Sequence, residues 1–326
     1  MSHLINDKTM KHINLFLMLC VLCIAVYGIS ACSKEENHKP DTDQSIPAPK
    51  PDPTPEPEPN NYTLQGTMQA AEQLVGKKYS EIHKYMRSYG WDYSEHPNSS
   101  DKDHNDGIHC EVVYDKIIQQ YVFKFIIHAN AEILDGDRGK LEDRQRNEMK
   151  TQTTAAWYKL NGNWDEWQRL EWKFRIPKDF KPSTNFCHIH QLKAQEGNNG
   201  SPLITITPRC NSNGSNRRIQ VIHTGDKSAT NKGTIIDNLP LSDFEDEWIQ
   251  VETEMHYTHN GSFSIKMTRI SDGKILVNKS FSDIDMWRKG AISIRNKYGI
   301  YRSFGRNMDG AVSYTHLRAH ETCADL

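Results

Sequence analysis

Between Tyr121 and Val277 the chain repeats one pattern: short runs rich in β-branched and aromatic residues, each closed by turn chemistry. The runs cover 121–127, 169–176, 203–207, 219–222, 248–255, 262–270 and 274–277, and Asn213-Gly214, Asn260-Gly261 and Asp272-Gly273 stand between or beside them. Asn-Gly and Asp-Gly supply the positive φ that tight hairpins need, so the pattern reads as antiparallel strands joined in sequence. Many strands in one stretch with no second linker predict an all-β fold, two packed antiparallel sheets of jelly-roll type. A short helical lead-in is expected at 68–74 and 80–87, with Ser80 as the N-cap of the second piece.

Both ends are set aside before the fold is read. Lys11 precedes an apolar run over 15–29 that stops at Ser30-Ala31-Cys32, the layout of a secretory signal and short for a membrane span. A cut just before a cysteine resembles the bacterial lipobox, which makes Cys32 the lipid-bearing residue. The expected organisation is a signal at 10–32 opening on Met10, a Pro-rich tether at 33–61, one domain at 62–310 and a foreign tail at 311–326. Ser33-Lys34-Glu35-Glu36 resembles the export tag of surface lipoproteins in Bacteroides-like bacteria, implying an outer-membrane lipoprotein exposed at the cell surface, with the periplasm-facing side as the alternative. The tether has almost nothing to bury and reads as an extended spacer. The run 312–322 resembles the translation of a sequencing adaptor, so the domain is expected to lack its final strand, and His316 and His320 are not counted as ligands. Of seven cysteines, Cys110, Cys187 and Cys210 remain in the domain, allowing at most one disulfide.

Three strand-like segments, 143–150, 188–193 and 295–303, place polar residues on alternate positions. Successive side chains of a strand point to opposite faces. Arg144, Arg146, Glu148 and Lys150 therefore share a face and Met149 lies on the other. Ile292, Ile294, Tyr298 and Ile300 form an apolar face in the third segment, which sends Arg295, Lys297, Tyr301 and Ser303 the opposite way and puts Arg302 on the wrong parity. In the middle segment Ile189 and Leu192 both suit the core but lie three apart; a β-bulge near His190-Gln191 resolves this, and the register stays open among His188, His190, Gln191 and Lys193. A net charge of −2 over the whole chain names no partner. The basic residues matter because parity gathers them into a face suited to an acidic polymer. A monomer with an anionic polysaccharide partner, no nucleic-acid partner and a membrane contact through Cys32 is expected.

These residues carry a family resemblance. Over most of 121–303 the chain resembles the jelly-roll, concanavalin-like polysaccharide lyases, a group that includes alginate lyases, heparin lyase I and, closest, the glucuronan-lyase-like members. Arg146-Asn147-Glu148-Met149-Lys150 is similar to their Arg-x-Glu-x-Arg strand, and Lys297-Tyr298-Gly299-Ile300-Tyr301 to their Lys-Ala-Gly-Val-Tyr segment, whose last tyrosine is catalytic. Their Gln-Ile-His motif matches either His188-Ile189-His190 or Gln191-Leu192-Lys193. The resemblance implies β-elimination on a uronic-acid polymer, with no metal or cofactor required. Arg146 and Gln191, His188 or His190 would neutralise the carboxylate; His190 or Tyr301 would take the C5 proton, and Tyr301 would protonate the leaving oxygen. Lys150, His188, Lys193, Arg295 and Lys297 are the candidates for holding substrate.

The same residues admit other readings. His188 and His190 at i, i+2 have the spacing of zinc ligands but lack a third. A glycoside hydrolase would need paired carboxylates, and no strand carries them. A non-catalytic glycan-capture module would need aromatic platforms in place of clustered Arg, His and Tyr. Arg144 reads as a salt-bridged strand residue and Glu148 as a group that orients its basic neighbours. Asp135 to Gly139 reads as a turn in preference to a calcium loop. Trp172, alternating with Phe174, reads as core.

Overall fold

Asp272-Gly273 makes the turn its chemistry predicts: Gly273 has φ +69°, and the chain on either side pairs antiparallel. The same logic, repeated, builds two sheets. The structure, a computed structural model, describes residues 67–97, 109–129, 136–137, 141–226, 232–304 and 311–322. All of these fall in the compact unit Glu58–Leu326. The other unit, Met1–Pro57, lies outside the described residues, and with it the signal segment, Cys32 and most of the Pro-rich stretch.

The first sheet holds β1 (Trp91–Glu95), β4 (Gly136–Asp137), β5 (Leu141–Thr151), β7 (Cys187–Gln195), β8 (Ile204–Arg209), β9 (Arg218–His223), β10 (Gly233–Pro240) and β14 (Ser293–Ser303). Their order is β1-β5-β14-β7-β8-β9-β10, with β4 beside β5. The second sheet holds β2 (Cys110–Asp115), β3 (Gln120–Ala129), β6 (Trp167–Arg175), β11 (Trp248–His256), β12 (Gly261–Arg269), β13 (Ile275–Ile284) and β15 (Ala311–Thr322), in the order β13-β12-β11-β6-β15-β3-β2. The strand pairs are antiparallel throughout. Each run singled out in the sequence lies in a strand but for at most one residue at an end, and the fold is the expected all-β jelly-roll sandwich.

Alternation decides which residues join the two layers. β6 buries Leu170, Trp172 and Phe174, and Trp172 meets Tyr298 of β14 edge-on across the interior, with ring centroids 4.9 Å apart. Tyr93 of β1 meets Phe125 of β3 in the same way at 5.6 Å. Asn147 is fully buried among them with its bonds satisfied. Its Nδ2 donates to the carbonyls of His109 (2.6 Å) and Ile126 (2.8 Å), and it accepts from the Tyr93 hydroxyl (2.6 Å). A buried amide left unpaired would cost about 1–3 kcal/mol, so the three contacts fix this register.

Four expectations need correction. The lead-in at 68–74 is helical only as a 3₁₀ turn, Glu72–Leu74. The helix α1, Tyr79–Arg87, is capped at Lys78 and not at Ser80; the Glu81 carboxylate accepts from the Lys78 N–H (3.4 Å). Ile292 is 57 % exposed, because β14 begins one residue later. The place expected to stand empty is filled: β15 pairs with β3 on one side and β6 on the other. Backbone pairing of this kind is open to nearly any sequence without proline. The backbone of Gly136–Asp137 is a two-residue strand against β5, while the rest of the 135–139 segment lies outside the described residues. Cys110, Cys187 and Cys210 are buried free thiols.

Candidate active site

Strands β5, β14 and β7 lie side by side, so the three polar segments meet on one sheet face. Cross-strand partners set the grid: Tyr301 opposes Arg146 and His188, and Lys297 opposes Lys150 and Gln191. Between Lys297 and Tyr301 the chain needs glycine. Gly299 has φ +142°, and a Cβ there would sit 2.2 Å from the Asn147 carbonyl oxygen of β5. The close approach of the two backbones draws the flanking Lys and Tyr onto β5.

The result is a cavity of about 330 Å³ lined by Arg144, Arg146, His188, Gln191, Lys193, Lys297 and Tyr301, with Phe186 and the Gly200–Pro202 stretch at its rim. The Arg146 guanidinium lies 3.8 Å from the Tyr301 ring centroid, and Arg144 Nη1 donates to the Tyr301 hydroxyl (3.3 Å). Arg144 also pairs with Asp143 (2.7 Å), so it is both the salt-bridged residue expected and a wall of the cavity.

Two carboxylates lie behind this cationic lining. Glu148, fully buried, accepts from Gln191 Nε2 (2.5 Å) and stands 3.2 Å from Lys297 Nζ and 3.9 Å from Arg146. Glu95 pairs with Lys297, with Arg146 (3.0 Å) and with Lys150 (2.9 Å). Burial alone would raise the Glu95 carboxyl; the charges of Lys297, Arg146 and Lys150 outweigh it and hold Glu95 far below the usual carboxylate range. Sequence parity missed this residue. Asp92 opposes Lys150 while Glu95 opposes Glu148, so β1 carries one extra residue, and the bulge turns Glu95 onto the face that alternation denies it.

A second irregularity sorts the histidines. His188 and Gln191 line the cavity, whereas Ile189 and His190 between them both face the interior. His190 is stacked on Tyr298 (4.5 Å) and packed on Trp172 (5.2 Å), with both ring nitrogens buried and unpartnered. Burial pushes it down to about 3, so it is a neutral core residue. The assignment of His190 as base is therefore corrected. With the two rings on opposite faces, His188 and His190 also have no common point at which to hold a metal.

His188 has the better placement. Its Nδ1 bonds Thr207 Oγ1 (2.8 Å), and Thr207 donates its own proton to Thr205 (3.0 Å). Thr207 must therefore accept, Nδ1 carries the hydrogen, and Nε2 is left with the lone pair. Burial, then the charges of Arg209, Lys193, Lys297 and Arg146, push the imidazole down to about 3. Lys193, bonded to the Gly200 carbonyl (2.9 Å), is pulled down to about 8 by burial and by Lys297 and Arg146.

Two expected substrate ligands have other partners. Lys150 is held by Glu95 and Asp92 (3.6 Å). Arg295 donates from Nε and Nη2 to the Thr151 carbonyl (3.2 and 3.0 Å). Neither lines the cavity. Arg302 follows its parity into the interior, fully buried against Gln145 (2.9 Å) and the Lys181 carbonyl (3.1 Å).

No protein-family model and no curated protein matches the chain. Among solved structures it is similar to alginate lyase A1-II′, a member of polysaccharide lyase family-7, with 12% identity, 68% of this chain and 86% of that one covered, and a TM-score of 0.42. It is also similar to the PL-14 alginate lyase from Aplysia kurodai (9%, 66% and 86% covered, TM-score 0.41) and to the GH131 β-glucanase catalytic domain from Podospora anserina (11%, 73% and 86%, TM-score 0.46). Likeness at this level assigns no role to any residue.

Proposed function

We propose that the chain is a polysaccharide lyase that cleaves a uronic-acid-containing polymer by β-elimination. The observation that carries this reading is a cavity lined by Arg144, Arg146, Lys193 and Lys297 around Tyr301 and a neutral His188, with no carboxylate among the described residues of its lining. A glycoside hydrolase needs two carboxyl groups flanking the bond, and Glu95 and Glu148 are both engaged by cations behind the cavity wall.

The difficulty in elimination is the weak acidity of C5 beside an ionised carboxylate. Arg146, Lys297 and the Gln191 amide meet that carboxylate and stabilise the charge that develops on it. His188 Nε2 takes the C5 proton; the C–H electron pair becomes the C4–C5 double bond as the C4–O bond breaks. Tyr301 delivers its phenolic proton to the leaving oxygen, and proton return from His188 to Tyr301 through solvent resets the site. Burial and the surrounding cations keep His188 neutral, and a uronate carboxylate bound beside it would add the negative charge that raises its basicity.

The test is a panel of glucuronan, alginate, heparin-type and pectic polymers, followed by the ultraviolet absorbance of the unsaturated product. Product from one acidic polymer, reduced by about 10²–10⁴-fold in Tyr301→Phe, is expected for a lost proton donor. Binding without product from any polymer would sink the lyase reading in favour of a glycan-capture module. We also propose that Cys32 anchors the domain to the outer membrane through the Pro-rich spacer; Cys32→Ala should then move the protein from the membrane to the soluble fraction.

A further inference from the structure

Beyond His188 the same sheet face carries charge that the proposed reaction does not use. Thr205, Thr207 and Arg209 alternate along β8, and the Thr207 contact with His188 fixes this face as the one that bears the cavity. Arg209 lies two residues past Thr207, about 7 Å along the strand. Its direct cross-strand partner on β9 is Arg218.

Two like charges in that position destabilise a sheet. Among the described residues one carboxylate acts on Arg209, Asp237, and it is heavily shared. Asp237 is 3.4 Å from Arg218 Nε and also accepts from Gln220 Nε2 (2.8 Å) and the Asn238 N–H (2.7 Å). Arg209 is half-buried, its Nε is buried without a partner, and no carboxylate among the described residues pairs with it. Burial, then the charge of Arg218, act against its charged form, and the charge of Asp237 offsets them only in part. A solvated surface arginine would show neither the burial nor the unpaired Nε. The pair has the features of a site that awaits an anion.

We propose that Arg209 and Arg218 form a second anion-binding position, which takes the carboxylate of a neighbouring uronate in the polymer held at the catalytic cavity. The proposal rests on the lyase reading and extends it. The bound chain crosses from β14 over β7 and β8 to β9, so the site favours substrates with acidic groups on successive sugars over those with an isolated uronate.

The experiment compares short and long oligouronates on wild type, Arg209→Gln, Arg218→Gln and the double variant. For long oligomers KM should rise about tenfold or more in the double variant with kcat unchanged, as expected for loss of charge-assisted bonds formed equally in ground and transition states. Short oligomers that end before β8 should be indifferent, and Arg209→Lys should retain most of the effect of the native residue. An equal change for short and long substrates, or none, overturns the proposal. Relief of like-charge contact predicts variants that melt no lower than wild type; a lower Tm overturns the argument from repulsion. Should wild type form no unsaturated product from any polymer, the lyase reading is what fails. Affinity electrophoresis in polyglucuronate, polymannuronate, polyguluronate and a neutral glucan then decides the anion site alone. Retardation by an acidic polymer that is lost in the double variant upholds it, and retardation that persists overturns it.

Discussion

Arg146 and Tyr301 are direct cross-strand partners on β5 and β14, and the guanidinium lies over the phenol ring at 3.8 Å from its centroid. The planar cation is thereby held by a ring beneath it and by Glu95 at 3.0 Å, so its orientation is set before substrate arrives. Lysine cannot reproduce a flat stack and a forked donor. Arg146→Lys is expected to lower kcat/KM about 100-fold while the fold is retained, the sum of a lost cation–π contact and a charge-assisted bond. Steady-state kinetics with the polymer identified by the panel check it, and a loss confined to KM would mean that Arg146 binds substrate without stabilising the transition state.

His188 and His190 divide function from stability. His188→Ala should abolish most turnover and lower stability only by the loss of its bond to Thr207, on the order of 1–3 kcal/mol. His190→Leu, which replaces unpartnered ring nitrogens in an apolar site, should keep activity and alter stability by under about 1.5 kcal/mol. Acid melting separates them further. Both rings are held near 3, below the unfolded value of about 6.5, so the unfolded chain binds protons that the folded one does not. Their stabilising effect is full above about pH 6.5 and falls as pH drops toward 3, by up to about 1.4 kcal/mol per unit for each ring. His190→Leu should flatten that slope; an unchanged acid limb would place its ring in water.

The contrast shows what strand parity can read. On β5 and β14 the pairing runs without interruption from Lys297–Lys150 to Ser303–Arg144, and alternation correctly separated Arg146 and Tyr301 from Met149, Tyr298 and Arg302. An extra residue on β1, and an extra residue on β14 where it pairs with β7, reverse the faces, and there alternation misses Glu95 and misplaces His190. The bulge expected near His190-Gln191 is not there: those residues pair in register, and the extra residue lies on β14 between Tyr298 and Tyr301, opposite Ile189. Which β7 residues turn therefore depends on Tyr298, Trp172 and Thr207, each far away in sequence. The partners of Lys150 and Arg295 were hidden for the same reason, since Glu95 and the Thr151 carbonyl meet them only in the folded sheet.

Lys193 sets an alkaline limit. With its ammonium pulled down to about 8, the cavity loses one of its positive charges as pH rises through that value. Since the charged form is the one that attracts a uronate, kcat/KM should be level below about pH 8 and decline above it. Lys193→Arg should carry the limb upward beyond the range of the assay, because guanidinium keeps its proton. Lys193→Gln should remove the limb and lower the plateau. A limb that stays near 8 in Lys193→Arg would assign it to another group.

Glu95 is the counter-charge on which the cationic wall depends. It is 6 % exposed and pairs with Lys297, Arg146 and Lys150 at once. Glu95→Gln keeps the shape but leaves three cations facing one another, and removal of one member of a buried ionic set typically costs about 3–5 kcal/mol. The native carboxyl is depressed by those neighbours, so its contribution is complete above the unfolded value of about 4.3 and is lost only as pH falls through the much lower folded value. Urea unfolding at neutral pH should therefore show the full loss. Kinetics should split in a way that simple destabilisation cannot produce. With a negative charge gone from behind the cavity, KM for an acidic polymer falls, while kcat also falls because Arg146 and Lys297 are no longer held in place. If Glu95→Gln instead raised KM and left kcat alone, the carboxylate would have to contact substrate directly.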